Sequence, residues 1–387
     1  MCLIDPIKRD DGFKKPPFNQ AGIWTGANLP ALVRLLHTNR WQVHPSCWPE
    51  CAIDLVLATL NSGLSGIQAV LYGHRLRHME VCDDPIIIIG HWRTGTTLLH
   101  ELLALDSGHT CPTTFQCFVP NHFLLTERLV KSWSGFLLPP NRQVDAMAMS
   151  WDQPQEDEFA LCNLGVPSFY ASIAFPNRPP QNLDFLEVED VDSQQRQRWK
   201  RTLRSFLKKV CYQKNGRLVL KSPTHTFRIP ILLEMFPNAR FIHMVREPVS
   251  IFMSTIRLWK AIHTMHGYQK PSFERLAEEI FEIFLRMHTR LEATRDRIPV
   301  NHLMDVRYED LAGDTLEQIE TVYDFLGDEN FGVVRPAVEA YAAEHASYQP
   351  NRYAPSREVI EQIYDRWRPY AEKYGYAPLT PHARQQH

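Results

Sequence analysis

The sequence predicts an α/β protein, a parallel sheet flanked by helices with a helical N-terminal extension. Three observations carry that expectation. Ile86–Ile89 is an unbroken β-branched apolar run, the pattern of a strand buried on both faces. It leads into Gly90-His-Trp-Arg-Thr-Gly95-Thr96-Thr97 and then the helical pattern LLHELLAL, giving strand, glycine-bounded loop and helix in order. Two further short apolar runs, Leu218–Leu220 and Phe241–Val245, each pass into a helical pattern, and such alternation builds a parallel sheet with right-handed crossovers.

Taken in order, residues 1 to about 26 read as an irregular arm containing Pro and Lys. Residues 29–80 read as helical, with Trp41 and Trp48 flanking a Pro/Cys turn. Within them, Cys51–Tyr72 is apolar at Ile53, Leu57, Leu60, Leu64, Ile67 and Leu71, in steps of four and three. That is one stripe of an amphipathic helix, interrupted by Asp54, Asn61 and Gln68 rather than apolar all round. The expectation is that the stripe packs on the core. The alternative is peripheral contact with a membrane surface, helped by Arg75 and Arg77. Cys111 to about Asp190, rich in aromatics and Pro, reads as loops and short helices covering the sheet. Residues 193–211 are helical, with an apolar stripe (Trp199, Leu203, Phe206, Val210) and a basic one (Arg196, Lys200, Arg204, Lys208) expected to face solvent. Helices are expected at Ile229–Phe236, 249–265 and 272–295, and a fourth strand at Val300–Val306. With no repeat or linker, the chain divides into an extension, 1–83, packed on one elaborated domain, 84–387.

Composition sets the outer limits. The 387 residues carry 42 Lys and Arg against 44 Asp and Glu, a net charge of −2, which excludes a bulk nucleic-acid-binding surface. The 8 cysteines include no C-x-x-C pair, so neither a disulfide framework nor a zinc site is expected, and the usage fits a reducing, cytoplasmic setting. The first 20 residues have no apolar core of the kind a secretory signal needs.

The chemistry gathers at strand ends. The Gly90–Thr97 loop has the spacing of a phosphate loop, whose backbone N–H groups and helix N-terminus cradle an anion. A nucleotide kinase would place Lys where Thr96 stands and a metal-holding Asp at a strand end. Here the cation is Arg93, and the other strand ends carry Lys221 and Arg246. In an open α/β sheet ligands sit outside the carboxyl ends of the strands. Three cations converging there repel one another unless an anion is bound. The expectation is an anionic nucleotide held by protein cations without a metal.

These residues resemble the PAPS-dependent sulfotransferases, nearest the branch of tyrosylprotein and microbial members. GHWRTGTTLLHELL resembles the 5′-phosphosulfate loop of that family, with Thr94 in place of the usual Ser. FIHMVREPVSIFMSTIRLW resembles its 3′-phosphate motif, with Arg246 and Ser254 eight residues apart. LVLKSPTH resembles the segment bearing the catalytic Lys, and VRYEDL the later strand whose Tyr, here Tyr308, lies near the adenosine. The resemblance spans about 84–312, and more faintly to 375. It implies a three-layer α/β/α fold and sulfuryl transfer from PAPS to a hydroxyl or amine of a small-molecule, lipid or carbohydrate acceptor. It also implies roles: Lys221 and Arg93 at the sulfuryl group, Thr94, Gly95, Thr96 and Thr97 at the 5′-phosphate, Arg246 and Ser254 at the 3′-phosphate. Asn351 and Arg352 would form a C-terminal clamp.

The general base stays open among several groups. The tyrosylprotein branch places a Glu where this chain has Thr114. Cytosolic members use K-x-H, and Lys221-Ser-Pro-Thr-His225 offers a His slightly further on. The acidic run Glu156-Asp157-Glu158 offers a carboxylate instead. Aromatics at Phe115, Phe118, Phe123, Trp133, Phe136, Trp151, Phe169, Tyr170 and Phe175 point either to an amphiphilic or aromatic acceptor or to plain core. The competing readings are a metal-dependent kinase on the same core and an inactive nucleotide-binding or membrane-surface module.

Overall fold

In the computed structural model, residues 12–15, 22–133, 150–345 and 353–376 are described. The N-terminal part forms α1 (Leu29–Thr38) and the long α2 (Trp48–Arg77). The sheet begins with β1 (Ile86–Ile89), followed by α3 (Thr96–Ala104) and a two-residue strand β2 (His109–Thr110). The covering segment supplies α4 (Thr114–Phe118), α5 (Phe123–Trp133) and α6 (Asp157–Asn163). Then follow α7 (Ser193–Gln213), β3 (Arg217–Lys221), α8 (Ile229–Met235), β4 (Arg240–Val245), α9 (Pro248–His266) and α10 (Leu276–Arg295). The chain continues through β5 (Leu303–Arg307), α11 (Tyr308–Gly313), α12 (Thr315–Leu326), α13 (Phe331–His345), α14 (Arg357–Arg366) and α15 (Arg368–Lys373).

The strands pair in parallel in the order β2-β3-β1-β4-β5. Period two divides the isoleucine run between two cores. Ile87 and Ile89 join Leu218, Leu220 and Phe241 under α7 to α10 on one face. Ile86 and Ile88 join Val219, Ile242 and Met244 under α3, α12 and α13 on the other. A strand covered twice has no polar face to show, and that is why it reads as continuous apolar sequence.

The structure departs from expectation at three places. β2 has too few residues to leave a periodic signal. The fourth strand expected at Val300 begins at Leu303, because Asn301 sits in a left-handed turn (φ 63°) that first reverses the chain. The third departure is α2. Its inner face consists of Cys51, Asp54, Ala58, Asn61 and Gln68, while Ile53, Leu60, Ile67 and Leu71 of the expected core stripe are exposed. The helix is held by hydrogen bonds: Asn61 Nδ2 donates to the carbonyls of Thr25 (2.9 Å) and Ala27 (3.0 Å), and Tyr268 Oη donates to Asp54 Oδ2 (2.7 Å).

The N-terminal segment is stitched into the domain. Trp24 Nε1 donates to His266 O (2.7 Å) and Asn163 Nδ2 to Ile23 O (3.0 Å). Gly26 is required there, since a Cβ at that position would lie 1.4 Å from the carbonyl oxygen of Phe118.

Candidate active site

The loop between β1 and α3 is shaped by its glycines. Gly90 (φ +137°) lies so close to β4 that a Cβ would meet Met244 O at 2.7 Å. Gly95 (φ +98°) lies under the Tyr308 ring, where a Cβ would meet Cδ2 at 2.4 Å. Thr94 donates its hydroxyl to His91 O (2.7 Å), closing the loop on itself, so the side chain expected at the 5′-phosphate braces the backbone instead. No side chain caps α3 at Gly95, which leaves the first-turn N–H groups of Thr96 and Thr97 for an anion.

Three cation-bearing strand ends meet around this loop. Arg93, itself at positive φ (71°), donates from Nε to Ser254 Oγ (2.7 Å). Arg246 donates from Nη1 to Arg93 O (3.1 Å), and its guanidinium lies 3.9 Å from the centre of the Tyr308 ring. Arg93, Gly95, Arg246, Ser254 and Tyr308 therefore form one cluster. Lys221 ends β3, the strand hydrogen-bonded beside β1.

The acidic run Glu156-Asp157-Glu158 forms an orderly set of ion pairs. Glu156 accepts from Lys221 Nζ (2.8 Å), Asp157 holds His225 Nε2 (2.9 Å), and Glu158 pairs with Arg228. Lys221 ends β3, His225 lies in the 3-10 turn that follows and Arg228 caps α8, so three successive acids meet three bases along that stretch. The pairs differ in access. Glu158 and Arg228 are sealed, and the carboxylate also takes hydrogen bonds from Ser168 and Thr224. Burial raises the pKa of Glu158, but the charge and hydrogen bonds of Arg228 outweigh it and leave the group below its ordinary value. Asp157 and His225 are fully buried, and His225 Nδ1 faces no partner among the described residues. Of the three acids only Glu156 keeps access, with its side chain 13% exposed. Its second oxygen accepts from Tyr170 Oη, whose acidity burial and that carboxylate both suppress strongly.

Tyr170 links this pair to an apolar cleft. It accepts from Trp92 Nε1 (3.0 Å), and Trp92 packs against Phe169 and Trp259, which line the cleft with Ile280 and Ile283. Of the aromatics singled out in the covering segment, Phe115, Phe118, Phe123, Trp151, Tyr170 and Phe175 are buried core, while Phe169 lines the cleft, which Tyr170 reaches only through Trp92. Phe136, the Trp133 side chain, Asn351 and Arg352 lie outside the described residues. Sequence reasoning missed Trp92, Arg228 and the joining role of Tyr170. Trp92 stood inside the quoted loop, but nothing local marks which residue in such a loop turns toward the cleft.

Fold and site together define a transferase built on a parallel α/β sheet. The chain belongs to the sulfotransferase family, whose sequence model matches residues 85–331. It is 41% identical over 361 residues, 93% of both chains, to the omega-hydroxy-beta-dihydromenaquinone-9 sulfotransferases of Mycobacterium bovis and Mycobacterium tuberculosis. Among solved structures it shares its fold with sulfotransferase STF9 of Mycobacterium avium (TM-score 0.66, 16% identity, 90% of this chain and 96% of that one). It also resembles STF1 of Mycobacterium tuberculosis (TM-score 0.61, 19% identity, 87% and 90%). Family membership favours sulfuryl transfer over the kinase and the inactive module. The similarity over 93% of the chain also reaches into the N-terminal residues that the motifs left unexplained.

Proposed function

We propose that this sulfotransferase moves the sulfuryl group of PAPS to a hydroxyl on a lipid-like acceptor, with Glu156 as the base. The observation that carries the reading is the Lys221–Glu156–Tyr170–Trp92 chain of hydrogen bonds, which runs from the end of β3 to the Trp92 wall of an apolar cleft. The relatives named above act on a hydroxylated dihydromenaquinone, which supports an amphiphilic acceptor.

Each residue has a physical task. The uncapped N-terminus of α3, with Thr96 and Thr97, receives the 5′-phosphate. Arg246, positioned by Arg93 O and Tyr308, and Ser254 receive the 3′-phosphate. Donor binding draws Lys221 from Glu156 toward the phosphosulfate, which frees Oε1 to accept the acceptor's hydroxyl proton. The acceptor oxygen then forms its bond to sulfur as the sulfur–oxygen bond to the 5′-phosphate breaks. The electron pair of that bond stays on the phosphate oxygen, where Lys221 and Arg93 stabilise the growing charge. Asp157 and His225, sealed behind this pair, position the covering segment rather than touch the acceptor. The cytoplasmic setting expected from cysteine usage fits the free thiols of all seven described cysteines.

The test is transfer from labelled PAPS to a panel of long-chain alcohols, hydroxylated quinones, phenols and glycans, with Lys221→Ala as control. Turnover confined to glycans would overturn the lipid-like acceptor. Normal turnover in Glu156→Gln would overturn the base.

A further inference from the structure

The helix α2 wears its polarity inside out. Asp54, Asn61 and Gln68, seven residues apart, point into the domain and are hydrogen-bonded there, Gln68 through Asn121 O (3.0 Å) and Leu124 N (2.9 Å). The opposite face presents Ile53, Val56, Leu60, Ile67, Val70 and Leu71, all exposed, with Val70 at 83% and Val56 at 62%. A soluble helix normally has the reverse arrangement, and an apolar face of this length on a surface marks an interaction site. By length and hydropathy the Pro45–Arg77 stretch would suffice to cross a bilayer. Its inward hydrogen bonds argue against crossing, because leaving the domain would strand those polar groups in hydrocarbon.

The two ends of this face say what covers it. At one end Trp41 and Trp48 stack (ring centres 6.5 Å apart) and are each about 40% exposed. Such amphipathic rings favour the headgroup level of a bilayer. At the other end Arg75 and Arg77 are exposed, and α7 runs alongside: Lys208 Nζ reaches Arg77 O (3.4 Å) and Arg75 Nη1 reaches Tyr212 Oη (3.0 Å). Arg201 and Arg204 share the Lys208 stripe of α7, and α7 contains no acidic residue. On α2 itself the acids are Glu50, paired with Lys15, and the buried Asp54. An apolar strip ending in a group of cations that outnumbers the exposed Glu80 just beyond it complements an anionic lipid surface.

We propose that the outer face of α2, with the basic end of α7, docks the protein on an anionic membrane surface, the helix lying in the plane of the interface. The functional sense of this rests on the lipid-acceptor reading, since docking would bring the enzyme to an acceptor that resides in the bilayer. The binding itself does not depend on that reading.

The test is co-sedimentation of the full chain with vesicles of phosphatidylcholine alone or with phosphatidylglycerol, beside binding of 3′-phosphoadenosine 5′-phosphate and the sedimentation coefficient. The expected result is tight association with the anionic vesicles and at least tenfold weaker association with the neutral ones. A Val56→Glu, Leu60→Glu, Val70→Glu variant should lose vesicle binding at least tenfold with nucleotide binding and melting temperature unchanged, since all three sites are already exposed. A Arg75→Glu, Arg77→Glu, Lys208→Glu variant should lose the preference for anionic lipid. Failure to bind either vesicle would overturn the proposal. So would a dimer that the apolar-face variant converts to monomer without changing vesicle binding. Loss of nucleotide binding with vesicle binding intact would count against the donor reading and leave the docking surface standing.

Discussion

Two neighbouring ion pairs, Glu156–Lys221 and Glu158–Arg228, are built from the same short acidic run and face opposite conditions. Glu158–Arg228 is sealed, with further hydrogen bonds from Ser168 and Thr224 and from Arg228 to Phe185 O (2.7 Å). Glu156–Lys221 has one partner to spare on the acid, Tyr170, and access to a ligand. A buried pair saturated with hydrogen bonds is a fixture, because separating it leaves a bare charge in a poor solvent. A pair whose acid keeps some exposure can exchange partners when an anion arrives. Under the proposed mechanism the same residue types serve architecture at one position and chemistry two residues away.

Substitutions can break that comparison. The largest effect is expected for Lys221→Ala: turnover with PAPS should fall by at least ~10³-fold, about 4 kcal/mol of lost charge stabilisation, with the melting temperature little changed. Arg228→Ala should do the opposite. Denaturant unfolding should show a loss of about 3 kcal/mol, the cost of an uncompensated buried charge, while the surviving folded fraction retains donor binding. Arg246→Ala should weaken 3′-phosphoadenosine 5′-phosphate by roughly 10²-fold and leave the nucleotide lacking the 3′-phosphate nearly unchanged, as calorimetry would read. Equal losses for both would remove the 3′-phosphate role. Gly95→Ala should cost about 2 kcal/mol through its left-handed backbone and the approach of Tyr308.

The smallest effect concerns pH. Glu158 has a folded pKa below its unfolded value, so its contribution is full above about pH 4.3 and is lost as pH falls through the folded value. Urea midpoints measured from pH 6 to pH 3 should fall across the lower part of that range. The slope should be shallower in Glu158→Gln, whose absolute stability is already reduced.

How much of this was legible in the sequence differs between the strands and the cover. The cations at positions 93, 221 and 246 could be read because a strand end is a local event and the parallel sheet then aligns such ends by itself. The partner of each acid could not, because Glu156 meets Lys221 only after a segment 65 residues away has docked. The reversed α2 shows a different limit. Helical periodicity tells which residues share a face, but not on which side of that face the domain lies. Asp54, Asn61 and Gln68 share a face as regularly as the apolar residues do, and their hydrogen bonds to Tyr268, Asn121 and the Thr25–Ala27 turn exist only in the assembled fold.

The three acid–base pairs span 65, 68 and 70 residues of sequence, and all run between the same two stretches of chain. Contacts of that separation form late, after the loop between them has been closed against its entropy. Until the covering segment arrives, Lys221, His225 and Arg228 should remain hydrated between β3 and α8. The sheet edge beside the glycine loop and the wall of the apolar cleft should consequently mature in a single step. Amide exchange around Lys221 should then slow at the same moment as exchange around Glu158, with no interval in which a half-built enzyme holds its donor open to water.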